Sequence, residues 1–181
     1  MKFTIGVIGG SSNTGFTPSE IALSYAYETG KQIALSGAVL ISGGMSGVME
    51  AASRGASEAG GITIGLLPGS DKSGANPYID IALPTGIGLM RNVLTVRACD
   101  VVIMISGGLG TLNELTVALN ERRVPAIVLT GTGGWSDRIK EITYDGVYLD
   151  ERRSMPIHYA SNPEQAVQLA LQLSHEGLVN K

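Results

Sequence analysis

The sequence predicts an α/β fold of the Rossmann-like, doubly wound kind, a mainly parallel sheet with helices on both faces. Three observations carry that expectation. Short apolar runs alternate with helix-length amphipathic segments along the whole chain. The run Val101-Val102-Ile103-Met104-Ile105 is apolar without alternation, as a strand buried on both faces requires. Three of the runs pour into glycine-rich turns, Gly9 to Ser12, Ser42 to Gly47 and Ser106 to Thr111, and the carboxyl ends of parallel strands are where open sheets form their ligand crevice.

The elements follow in order. A first strand is expected over Phe3 to Ile8 and a helix over Pro18 to Leu35, where Thr17 offers a cap, Pro18 suits the first helical position and Glu20 completes a capping box. Strand Val39 to Ile41 and helix Ser46 to Glu58 come next, then strand Ile62 to Leu67. The segment Pro68 to Pro77, rich in Gly, Ser, Asp and Asn, reads as a mobile loop on the ligand side. Helix Ile87 to Ala98 leads into strand Val101 to Ile105, followed by helix Leu112 to Arg122 and strand Ala126 to Leu129. The last helix, Pro163 to Ser174, opens on Asn162-Pro163-Glu164-Gln165, which repeats the capping logic. Crossovers are expected to be right-handed. No repeat, low-complexity tract or linker divides the chain, so residues 1–181 read as one nucleotide- or phosphate-binding domain.

Composition narrows the function classes. With 44% hydrophobic and 16% charged residues the chain can bury a sizeable core. A net charge of −3 and 13 scattered Lys and Arg lack the basic excess of a nucleic-acid binder. Cys99 is the single cysteine, so no internal disulfide and no cysteine metal cluster can form, which suits a reducing compartment and makes the cytoplasm the expected location. His158 and His175 lack metal-pair spacing, and no metal is expected. The N-terminus opens on strand-like sequence without a signal segment, and no run has membrane-spanning length, so no membrane partner is expected.

The chemistry is expected at the glycine turns. Gly9, Gly10, Ser11 and Ser12, then Gly43, Gly44 and Met45, then Gly107, Gly108, Leu109, Gly110 and Thr111, are the candidate phosphate-binding residues. Uncovered N–H groups at a helix start attract an anion. One such turn alone is ordinary strand-to-helix geometry, whereas three converging make a site. None matches a nucleoside triphosphate loop or a dinucleotide fingerprint, which leaves a smaller phosphate such as a nucleoside monophosphate. Glu114 has two readings: a capping-box partner for the Thr111 N–H, or a carboxylate kept ionised near neutrality by the helix dipole, acting as base or cation stabiliser. A carboxylate beside a phosphate needs a cation, and Arg91 is the candidate, with Asn92 placed for a ribose or base. Arg97 has two readings, a phosphate anchor or a complement to the helix dipole, and the second is preferred; Cys99 reads as a buried inert thiol, Trp135 as edging a base or, preferred, packing a loop, and Asp100 is given no chemistry.

These residues resemble the LONELY GUY-like family of Rossmann-type nucleotide-binding proteins, some of which are labelled lysine decarboxylases. Its signature Pro-Gly-Gly-x-Gly-Thr-x-x-Glu, preceded by an Arg-Lys pair, is similar to Ser106 to Glu114 with Arg91, and Ser42 to Met49 resembles the earlier Gly-Gly-Gly-x-x-Gly-x-Met motif. The likeness spans about residues 5–130 and is nearest to the branch containing molybdenum cofactor carrier proteins, through Ile5 to Gly10, Gly47 to Ala51 and Asn76 to Asp80. It implies hydrolysis of the N-glycosidic bond of a nucleoside 5′-monophosphate to free base and ribose 5-phosphate, with Arg91 and Glu114 catalytic. Its alternatives are a non-catalytic carrier of a phosphate-bearing pterin and a DNA-processing-like role. Asn92 stands where the enzymes have Lys, and Ser106 where they have Pro. No Schiff-base lysine falls in the motifs, no cofactor of the protein's own is implied, and the resemblance implies a homodimer or homotetramer.

Overall fold

The structure, a computed structural model, describes residues 1–12, 15, 17–120 and 124–179, the last six of them as backbone only. The Arg122 end of one predicted helix and the side chain of His175 lie outside the described residues.

Seven parallel strands form one sheet: β1 (Thr4–Gly9), β2 (Val39–Ser42), β3 (Thr63–Leu67), β4 (Ile81–Pro84), β5 (Val101–Ile105), β6 (Ala126–Leu129) and β7 (Ile157–Ala160). Their spatial order is β4-β3-β2-β1-β5-β6-β7. The chain winds outward from β1 in one direction as far as β4, then returns to the other side of β1 with β5. The gap between the carboxyl ends of β1 and β5 is therefore the topological switch point, where ligands bind in such sheets. The register Ile8 to Met104 and Gly9 to Ile105 brings the first and third glycine turns side by side there.

The helices are α1 (Glu20–Leu35), α2 (Val48–Glu58), α3 (Arg91–Arg97), α4 (Leu109–Asn120), α5 (Trp135–Arg138) and α6 (Pro163–Val179). Residues of β5 explain the two layers. Val101, Ile103 and Ile105 face a core with Ala22, Ala26 and Ile33 of α1, Ala52 of α2 and Ala166 and Ala170 of α6. Val102 and Met104 face the opposite core, with Val96 of α3 and Leu115, Ala118 and Leu119 of α4. Both faces of the strand are dry, which is why its sequence does not alternate.

The predicted strands and helices are present, with changes at their ends. Helix α1 is capped by Ser19, whose Oγ accepts the Ala22 N–H at 3.2 Å, so Thr17 and Pro18 lie before the helix. The last helix begins as expected: Asn162 Oδ1 accepts the Gln165 N–H, and Gln165 Oε1 reaches back to the Ser161 N–H, each at 2.9 Å. The helix expected from Ile87 starts at Arg91, after a 3₁₀ turn over Gly88–Met90. Most consequential for the site, α4 starts at Leu109 rather than Leu112, so the second half of the third glycine turn, Leu109 to Thr111, is itself the first turn of the helix.

Candidate functional site

The site starts at the end of β5. Ser106 sits in the left-handed region, φ 56°, and Gly107 follows at φ 101°. A non-glycine residue holds such a conformation only when its surroundings fix it. Here the Ser106 N–H donates to Thr132 Oγ1 at 2.8 Å, Ser136 Oγ donates to the Ser106 carbonyl at 3.1 Å, and the Trp135 N–H donates to the Gly107 carbonyl at 3.0 Å. Three bonds from the β6–α5 turn thus reverse the chain and launch α4. Because the helix begins at Leu109, the N–H groups of Leu109, Gly110 and Thr111 have no partner within it. A Cβ built on Gly108 or Gly110 would meet no atom within 4 Å, so this backbone is bare toward open space.

That space is a pocket of about 400 Å³. Gly108, Leu109, Gly110 and Thr111 form one wall, and Gly9, Gly10 and Ser11 from the β1 turn form another. Met45 and Met49 with Leu89 and Leu109 give it a mainly apolar lining, while Arg91, Asn92 and Glu114 supply its polar side chains. The β1 and β2 turns are tied to each other by the Ser11 and Ser46 hydroxyls, 3.1 Å apart.

The polar side chains form one buried chain. Arg91 and Glu114 are only 3% and 6% exposed. Arg91 Nη1 donates to Glu114 Oε1 at 3.1 Å and to Asn92 Oδ1 at 2.6 Å, and Asn92 Nδ2 donates onward to Asn113 Oδ1 at 2.9 Å. The Arg91 Nε is buried with no hydrogen-bond partner among the described residues. The guanidinium passes over Gly43, where any Cβ would overlap Nη2, so only glycine admits the arginine here.

Two expectations about Glu114 are corrected. It is not a capping-box partner, because Thr111 lies inside the first turn of α4 rather than at its cap. Nor is its carboxyl held in the low range of a dipole-stabilised acid: burial pushes its pKa up to about 7, against the opposing pull of Arg91. Desolvation outweighs the helix end.

The other candidate residues divide by position. Gly43 seats the arginine. Gly44 packs against Gly65, with its carbonyl accepting the Asn76 N–H at 2.8 Å and Asn76 Nδ2 at 3.1 Å. Gly107 stands behind the pocket wall, where a Cβ would strike Thr111. Ser12 lines a separate recess of about 220 Å³ with Glu50, Arg54 and Tyr78. Arg97 lies in the last turn of α3. Cys99 is buried, donates to the Thr95 carbonyl, and has its thiol pKa pushed up by that burial. Met49, Leu89, Asn76 and Asn113 belong to the site or its support and carry no residue-type signal of their own.

A parallel sheet with an amide-lined pocket at its switch point defines a Rossmann-like protein that binds a small ligand. The particular family is clear: the chain belongs to the SLOG cluster4 family, whose model matches residues 2–167. It is similar over its length to solved structures. The protein TM1055 shares 40% identity at a TM-score of 0.87, covering 95% of this chain and 99% of that one. The molybdenum cofactor binding protein of the phototrophic bacterium Rippkaea orientalis shares 36% at 0.79, covering 96% and 98%. The molybdenum cofactor carrier protein of Chlamydomonas reinhardtii shares 34% at 0.77, covering 95% and 98%. DNA processing protein A of Helicobacter pylori, at 19% identity and a TM-score of 0.66, shares the fold alone.

Proposed function

We propose that this chain is a carrier that binds a phosphate-bearing pterin of the molybdenum cofactor class and releases it unchanged. One observation carries the reading: a single pocket joins a bare helix start to a broad apolar wall. The N–H groups of Leu109, Gly110 and Thr111 suit the phosphate, and Met45, Met49, Leu89 and Leu109 suit a flat ring system. A volume of about 400 Å³ is within the usual range for one such ligand. The likeness to molybdenum cofactor carriers over almost the whole chain supports the same ligand class. A carrier of this kind works in the cytoplasm, consistent with one buried thiol that has no disulfide partner.

In this reading the Arg91–Glu114 pair is a binding element rather than a catalytic one. Arg91 tempers the acid beside the phosphate, and Glu114 with a pKa of about 7 presents a carboxyl that is partly protonated at neutrality and able to donate to a ring nitrogen or carbonyl.

Hydrolysis of a nucleoside 5′-monophosphate is the second reading, favoured by the same arginine and glutamate standing in the amide-lined pocket. Against it stand the neutral Asn92 where the resemblance expects a lysine, and the left-handed Ser106, a conformation closed to the proline it replaces. Native mass spectrometry separates the two. Protein purified from a cofactor-making host is expected to retain a phosphate-bearing pterin, absent when the host cannot make it, and to release no base from a panel of monophosphates. Protein without pterin that releases base, and loses that activity in Glu114→Ala, would overturn carriage in favour of hydrolysis.

A further inference from the structure

We propose that Asp137, a side chain outside the pocket, is a positioning residue that keeps the bare amides of α4 aimed at the phosphate. Asp137 is exposed, lies in the first turn of α5 and lines no part of the pocket. Its carboxylate reaches back over the turn that precedes its own helix. Oδ1 accepts the Gly131 N–H at 2.6 Å, and Oδ2 accepts the Gly133 N–H at 2.8 Å. Both glycines are left-handed, φ 80° and 79°, and turn their N–H groups to the same point, a concavity of backbone donors of the kind that binds anions. Asp137 supplies that anion from within the chain.

What the carboxylate fastens is the support of α4. Thr132 lies between the two gripped glycines and is 1% exposed; its Oγ1 donates to the Leu129 carbonyl at 2.8 Å and accepts the Ser106 N–H at 2.8 Å. Gly134 follows at φ 60° and packs so closely on Gly107 that a Cβ there would overlap the Gly107 N and O. A shift of the turn is therefore a shift of Ser106 and Gly107. Glycine fills three of the five positions from Thr130 to Gly134, so the turn loses more backbone freedom on ordering than other residues would. Charge-assisted bonds on either side of Thr132 offset that cost. An amide in place of the carboxylate accepts from one glycine only and turns an N–H toward the other. The Ser106 hydrogen bond then depends on a turn fastened at one end.

The inference rests on the reading that a phosphate meets the amides of α4. The test is titration of the isotope-labelled intact protein with inorganic phosphate, followed by nuclear magnetic resonance at the backbone amides of Gly108, Gly110, Gly131 and Gly133. In wild type, phosphate is expected to move all four resonances with one midpoint, a readout that needs no variant to fold. Asp137→Asn is expected to bind phosphate about tenfold more weakly, and to displace the Gly108 and Gly110 resonances before any phosphate is added. Asp100→Asn is the control, because Asp100 Oδ2 likewise accepts the Thr4 N–H and hydroxyl, each at 2.9 Å, at the opposite, amino-terminal end of the sheet. It removes the same kind of grip, and its phosphate affinity and α4 amides are expected to match wild type. Wild type that binds no phosphate at Gly108 and Gly110 would remove the reading and the inference together. Where wild type does bind, three results would overturn the inference alone: Asp137→Asn that binds equally well, a loss no greater than that of Asp100→Asn, or Gly131 and Gly133 amides that stay still as phosphate binds.

Discussion

Replacing Glu114 by Gln removes a titrating group from the core while keeping an acceptor for Arg91, and its effect on stability depends on pH in a calculable way. The carboxyl has a pKa of about 7 in the fold against 4.5 in the unfolded chain. Between those values the folded state binds more protons than the unfolded one, so stability falls as pH rises. At about 1.4 kcal/mol per pH unit, the 2.5-unit interval costs wild type on the order of 3 kcal/mol by pH 8 compared with pH 4.5. Below 4.5 and above 7 this group adds no slope. The Gln variant has no such group, and whatever it loses by leaving Arg91 without a carboxylate is nearly constant with pH. The difference between the two proteins, followed by urea unfolding from pH 4.5 to 8, should therefore change by about 3 kcal/mol in favour of the variant. Parallel pH profiles would refute the argument, because they would mean that Glu114 ionises in the fold as readily as in water.

Four further substitutions, at three positions, separate support from binding. Gly43→Ala drives a methyl into the Arg91 guanidinium and is expected to destabilise by about 1–3 kcal/mol and to weaken retention of the ligand, measured by thermal unfolding and native mass spectrometry. Ser106→Pro requires a φ of the wrong sign and deletes the N–H bound to Thr132, so a loss of about 3 kcal/mol or more is expected, while Ser106→Gly should be within about 1 kcal/mol of wild type in the same unfolding assay. Gly110→Ala places its methyl in the open pocket at a helical position; stability should hold or rise by up to about 1 kcal/mol while ligand retention falls, and a variant that keeps its ligand would remove Gly110 from the phosphate wall.

The parallel sheet was legible because β5 is apolar at every position and because β1, β2 and β5 each end on a glycine turn. Edge strands escaped because little of each is buried: Ile81–Pro84 leaves Ile81 and Leu83 exposed and ends on a proline, and Ile157–Ala160 interrupts its apolar residues with His158 and Tyr159. At the site, glycine and charge were readable, so Arg91, Glu114 and the bare turn of α4 could be named from sequence. The state of Glu114 could not be, since a four-residue pattern reports a helix end and says nothing of how deeply α3 and the β2 turn cover it. Met49 and Leu89 line the pocket with side chains indistinguishable by type from any core residue. Asn76 clamps the second turn across 32 residues of chain, a separation no local pattern spans.

Ser106 is gripped at both its N–H and its carbonyl by hydroxyls of Thr132 and Ser136, neither of which lines the pocket. The aim of α4 is thus dictated by the turn that follows β6 and the start of α5. A change in the short stretch 130–136 would therefore re-point that helix while leaving every residue that lines the pocket untouched.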